Sequence, residues 1–122
     1  MYKQALTAGA VFAMLAVILG AFGAHSLKDS LSDKMLQIFE TGVRYQMYHS
    51  LAILLTALFV ERNHLFHTAG VLYAVGIVLF CFSLYALAAT GIKWLGAITP
   101  LGGLCFLAGH LLLLFGFWRL AR

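Results

Sequence analysis

Charge is scarce in this chain. Four acids and eight Lys and Arg in 122 residues make charged side chains 10% of the total, against about 25% in soluble domains. So few charges cannot give a water-soluble domain its surface. A single Pro and the lack of any Ser/Gly-rich tract leave no visible linker, so one domain with short connections is expected. Only two cysteines occur, Cys81 and Cys105, with no CxxC and no paired His spacing around either, which argues against a redox or zinc framework and for small packing residues. Asp29, Asp33, Glu40 and Glu61 are the only acids, and three of them fall in expected loops or at helix ends, so a paired-carboxylate site is excluded. No Ser has the setting of an activated nucleophile, and nothing resembles a phosphate-cradling loop. The basic residues are scattered and form no block, which argues against nucleic acid as a partner and for anionic headgroups.

What the chain does have is apolar length, at 63% of its residues. Four runs, Leu6 to Ala24, Tyr48 to Val60, Ala69 to Ala89 and Ile98 to Leu120, approach the roughly 20 helical residues that cross a hydrocarbon core. The predicted fold class is therefore all-α, an integral membrane four-helix bundle forming one domain, with spans at about 5–24, 42–61, 67–90 and 98–119. The first run is kept as a span because Phe22-Gly23-Ala24 lacks the small residue wanted three places before a signal cleavage site.

Small residues mark two contact seams. Gly9, Ala13, Ala16, Gly20 and Gly23 fall on one stripe of span one, and Gly102, Gly109 and Gly116 recur every seven residues in span four. Ser32 or Asp33 is the expected cap of helix two, which starts amphipathic, with Leu36, Phe39, Val43 and Met47 opposite Gln37, Glu40, Arg44 and Gln46.

Helix two also carries the candidate site. Glu40, Arg44 and Tyr48 form an i, i+4, i+8 stripe beside Thr41, Tyr45 and His49, a polar strip for which lipid is the wrong partner. His25 reaches a similar depth at the end of span one. One reading makes Glu40 and Arg44 an intrahelical ion pair that locks helix two to its neighbours; the other makes His25, Glu40, Arg44, Tyr45, Gln46, Tyr48 and His49 a polar site for a ligand, headgroup or ion. His110, near the middle of span four, is expected to bond a Ser, a Thr or a carbonyl on another helix. Helix depth places His49 and His110 too far apart to clamp one haem iron.

The stretches Leu19-Gly20-Ala21-Phe22-Gly23-Ala24-His25, Thr41 to Ile53 (TGVRYQMYHSLAI), Thr99-Pro100-Leu101-Gly102-Gly103 and Phe106-Leu107-Ala108-Gly109 carry a resemblance over essentially the whole chain. In order, spacing and length it resembles the YgdD/YwdK-like family of small bacterial membrane proteins. The resemblance implies four crossings of the inner membrane and supplies no activity; its signature stretches include His25 and the strip from Tyr45 and Gln46 to His49, while His110 departs from the aromatic expected there.

Together these readings favour a non-catalytic multi-pass membrane protein that binds a small ligand, lipid or protein partner at the helix-two strip. The alternative is a small oligomeric transporter or channel, although span one lacks the deep carboxylate of small multidrug transporters. No cofactor and no metal are expected. Candidate partners are the lipid bilayer, a second copy of the chain and a small ligand or lipid. Lys and Arg divide four against four between the two sides, and setting Arg44 aside as membrane-embedded favours cytoplasmic termini.

Overall fold

The computed structural model describes residues 2–122. Four helices follow one another: α1 (Tyr2–His25), α2 (Asp33–Ala57), α3 (His64–Thr90) and α4 (Thr99–Ala121), the last entered through a 3-10 turn at Lys93–Ala97. No strand occurs among the described residues. The chain is all-α, as its apolar runs predict.

Local chemistry sets the helix ends. Ser32 caps α2 by accepting from the Met35 amide at 3.2 Å, and Asn63 caps α3 by accepting from Leu65 at 3.0 Å. Gly91 ends α3 in the left-handed region, φ 73°, with its amide bonded to the Leu87 carbonyl at 2.8 Å. Pro100 occupies the first turn of α4, where a missing N–H costs nothing. α2 ends at Ala57, short of the expected limit near 61, where the Leu58, Phe59 and Arg62 amides bond three residues back and the chain passes into turns.

The helices associate in chain order: α1 packs on α2, α2 on α3 and α3 on α4. α3 is the central element, with Phe66, Ala69, Tyr73, Ile77 and Cys81 all fully buried at helical spacing. Both small-residue seams meet a neighbouring helix. Gly9 and Gly23 admit Leu54 and Phe39 of α2, while Gly102, Gly109 and Gly116 admit Phe80, Tyr73 and Phe66 of α3.

α1, α3 and the segment Lys93–Ala121 are each long and apolar enough to cross a membrane by length and composition. α2 is as long, but Asp33, Lys34, Glu40 and Arg44 lower its hydropathy. The outer face is greasy: Val17, Leu104, Leu107 and Leu114 are each about 60% or more exposed, a surface made for acyl chains rather than water. Within α3 the backbone widens into a π turn at Ile77–Cys81, where Gly102 lies against the Phe80 backbone.

Candidate functional site

α2 divides the polar strip between its two faces. Phe39, Gly42, Gln46, His49, Ser50 and Ile53 are buried, so the inward face is the one carrying Gln46 and His49. Glu40, Arg44 and Tyr48 are exposed on the outer face, and His25 is exposed at the end of α1. The strip does not turn inward as a whole. At 100° per residue a band two residues wide straddles the boundary between the faces, and the apolar partners decide which half goes in. The expected Glu40–Arg44 ion pair is replaced by a local bond: the Arg44 Nη2 donates to Thr41 Oγ1 at 3.2 Å. Both charges reach the surface without needing each other.

Two buried hydrogen-bond systems leave the inward face. Gln46, with no exposed surface, donates from Nε2 to the Phe12 carbonyl of α1 at 2.8 Å and accepts the Tyr85 hydroxyl of α3 on Oε1 at 2.7 Å. One amide thus ties three helices. Gly42 makes room for this, since a Cβ there would sit 2.6 Å from the Tyr85 ring. Ser50 donates to the Gln46 carbonyl at 2.5 Å, and Ser83 of α3 meets Thr99 of α4 at 2.6 Å.

The second system is a directed relay. His49 Nδ1 lies 2.7 Å from the Tyr45 carbonyl, which can only accept, so Nδ1 carries the proton and Nε2 is bare in the neutral ring. His110 Nε2 stands 3.3 Å from that bare nitrogen and therefore donates to it. That leaves His110 Nδ1 to accept the Tyr73 hydroxyl at 2.8 Å. Proton positions follow from the network: Tyr73 to His110 to His49 to the Tyr45 carbonyl, joining α3, α4 and α2. Every nitrogen of both imidazoles is occupied, and no buried side-chain N or O among the described residues lacks a partner.

This meeting overturns the depth argument that separated His49 from His110. α2 begins at Asp33, so His49 lies about 24 Å along it; His110 lies about 17 Å along α4, which runs in the same direction from a 3-10 lead-in. Counting depth from a span that begins near residue 42 places His49 too shallow. Haem clamping fails for the opposite reason, since nitrogens 3.3 Å apart leave no slot for a porphyrin between them. Tyr73 was missed among the site residues. Its signal is a phenol hydroxyl well inside an apolar span, which has to face the bundle to be satisfied.

Beside the histidines an open groove of about 580 Å³ runs between α2 and α4 over the π turn. Tyr45, Phe80, Phe106, Leu104 and Leu107 form its walls, with His49 and His110 at one end. Tyr45 stacks on Phe80 at 4.8 Å between ring centres, and His49 lies flat on Phe106 at 3.5 Å. The surface it offers is almost entirely apolar.

Residues 19–103 match the family described as "Protein of unknown function (DUF423)". The chain belongs to the DUF423 family. Its relatives include UPF0382 membrane protein YwdK of Bacillus subtilis, 46% identical over 114 residues, or 91% of this chain and 93% of the relative. A UPF0382 membrane protein of Staphylococcus epidermidis is 48% identical over 91% of this chain and 92% of its own. UPF0382 membrane protein SAB0533 of Staphylococcus aureus is 42% identical over 98% of both. No solved structure matches the chain. With relatives named as membrane proteins and three helices apolar enough to span, this DUF423 member is a membrane protein.

Proposed function

We propose that this protein is a non-catalytic, multi-pass component of the bacterial inner membrane that holds the apolar part of a small lipophilic ligand or lipid in the groove between α2 and α4. One observation carries the reading: the groove is aromatic and aliphatic throughout, and the imidazoles at its end spend all their nitrogens on each other, Tyr73 and a carbonyl. Such a wall recognises a chain or ring by contact area rather than by hydrogen bonds. α2 then crosses with the other three helices, and its outward Glu40 and Arg44, rooted within the first half of the helix, extend their side chains toward the nearer headgroups.

The positive-inside rule favours cytoplasmic termini. Lys3, Arg62, Arg119 and Arg122 flank one side, against Lys28, Lys34 and Lys93 on the other; Arg44, about 17 Å along α2, does not count as a flanking charge.

Ion or proton passage has less support. The relay ends on the Tyr45 main-chain carbonyl, which cannot pass a proton on.

Native mass spectrometry from mild detergent tests the binding reading. A Cβ on Gly103 would approach nothing closer than the Phe80 ring at 3.9 Å, so Gly103→Phe projects into open groove. The parent chain should retain a lipid or lipophilic adduct that Gly103→Phe loses. Equal adducts on both proteins, or none on the parent, would overturn the proposal.

A further inference from the structure

The geometry points to a metal site at the paired histidines: His49 and His110 form a two-imidazole edge that binds a monovalent ion able to take imidazole ligands, Cu(I). This does not depend on what fills the groove. It reverses the expectation from sequence that the chain holds no metal.

The first support is distance. Two metal–nitrogen bonds of about 2.0–2.1 Å at a tetrahedral angle place their nitrogens about 3.3–3.4 Å apart and their ring centres about 5.2 Å apart. His49 Nε2 and His110 Nε2 stand 3.3 Å apart, and the ring centres 5.3 Å. The edge of a coordination polyhedron is thus already set, with no helix movement required.

The second support lies behind the rings. A ligating histidine needs its other nitrogen held as an N–H donor, which fixes the tautomer and raises basicity. His49 Nδ1–H already donates to the Tyr45 carbonyl at 2.7 Å. His110 Nδ1 faces the Tyr73 hydroxyl at 2.8 Å, and a hydroxyl can accept as well as donate. On metal entry the His110 proton moves from Nε2 to Nδ1, and Tyr73 turns from donor to acceptor. Both rings stay neutral and no proton is released.

Access and charge narrow the ion. His110 is exposed along the groove while His49 is 5% exposed, so entry is from the groove side and the remaining coordination positions open onto it. Among the described residues no third His, Cys, Asp or Glu joins the pair. Without a carboxylate to neutralise it, a dication in this apolar setting carries a large desolvation cost; a monovalent ion carries less. Copper accepts imidazole ligands, and at this tetrahedral-edge spacing the positions the protein leaves empty are filled by small ligands from the groove.

The test titrates Cu(I) into purified protein against a chromogenic Cu(I) chelator. His64 and His67, three apart at the head of α3, exposed His25 and the partly exposed Cys105 are surface competitors. The host is therefore His25→Gln, His64→Gln, His67→Gln, Cys105→Ser. One equivalent should bind to the host and be lost in His49→Ala and in His110→Phe, the latter an apolar change at the groove edge that preserves ring volume. Tyr73→Phe should weaken binding about 10- to 100-fold, as removal of an outer-shell partner does. Copper-edge absorption of the loaded host needs no change at the site itself and should show two imidazole nitrogens at about 2.0 Å. No binding to the host, unchanged binding in His110→Phe, or a spectrum with sulfur or a single imidazole would overturn the assignment.

Discussion

Three glycines of α4 give a graded test of the packing. Alanine at Gly102 would drive a Cβ into the Phe80 backbone, where no rotamer change relieves the clash. At Gly109 the Cβ would come within 2.6 Å of the Tyr73 ring, which is fully buried and anchored by its hydroxyl to His110 at 2.8 Å. At Gly103 it would meet only the Phe80 ring edge at 3.9 Å, an ordinary contact. Overpacking costs about 1–3 kcal/mol. Swinging Tyr73 aside breaks a hydrogen bond worth about 1 kcal/mol. Gly to Ala within a helix returns about 1 kcal/mol. Gly109→Ala should therefore lose about 1–3 kcal/mol net, Gly102→Ala at least as much, and Gly103→Ala should be neutral or stabilised by up to about 1 kcal/mol. Reversible denaturation in bicelles, followed by far-UV circular dichroism, reads the order directly. Three equal variants, or Gly103→Ala as the worst, would refute the docking of α4 on α3.

Other outcomes follow from the same contacts. Gln46→Leu and Tyr85→Phe should each destabilise by about 1–3 kcal/mol, because each leaves a buried polar group unpaired; in the double variant the losses should be less than additive by about 0.5 kcal/mol or more in a mutant cycle. Glu40→Gln and Arg44→Gln should each fall within about 0.5 kcal/mol of the parent in the same assay, because both side chains are exposed and Arg44 bonds only Thr41. A loss above about 1 kcal/mol in either would restore the ion pair. Reporter fusions at residue 122 and within the 27–31 loop should give opposite signals, cytoplasmic for the first; matching signals would count against an odd number of crossings between them.

Much of the architecture is legible because lipid imposes it: apolar runs of span length become helices, and glycine stripes become the places where helices touch. Gly102, Gly109 and Gly116 announce a close helix contact by spacing alone, and the structure supplies its partner, α3. The site is only half legible. Gln46, His49 and Tyr45 stand where the strip implies, but Glu40, Arg44 and Tyr48 point outward, a rotation of α2 that depends on the shapes of Phe39, Tyr85 and Phe12 across the bundle. The encounter of His49 with His110 was hidden by the helix-start error, since moving the origin of α2 back to Asp33 shifts every depth along it. Tyr73 is hidden by its setting, a phenol flanked by Val71, Leu72, Ala74 and Val75 that reads as one more apolar core residue.

The relay from Tyr73 through His110 to His49 is what joins α2, α3 and α4 around the groove, and it can be read in a bilayer. Solid-state NMR of the ¹⁵N-histidine-labelled, metal-free protein should show His49 protonated on Nδ1 and His110 on Nε2, with a coupling between the two Nε2 nitrogens across their hydrogen bond. Identical tautomers with no such coupling would contradict the account.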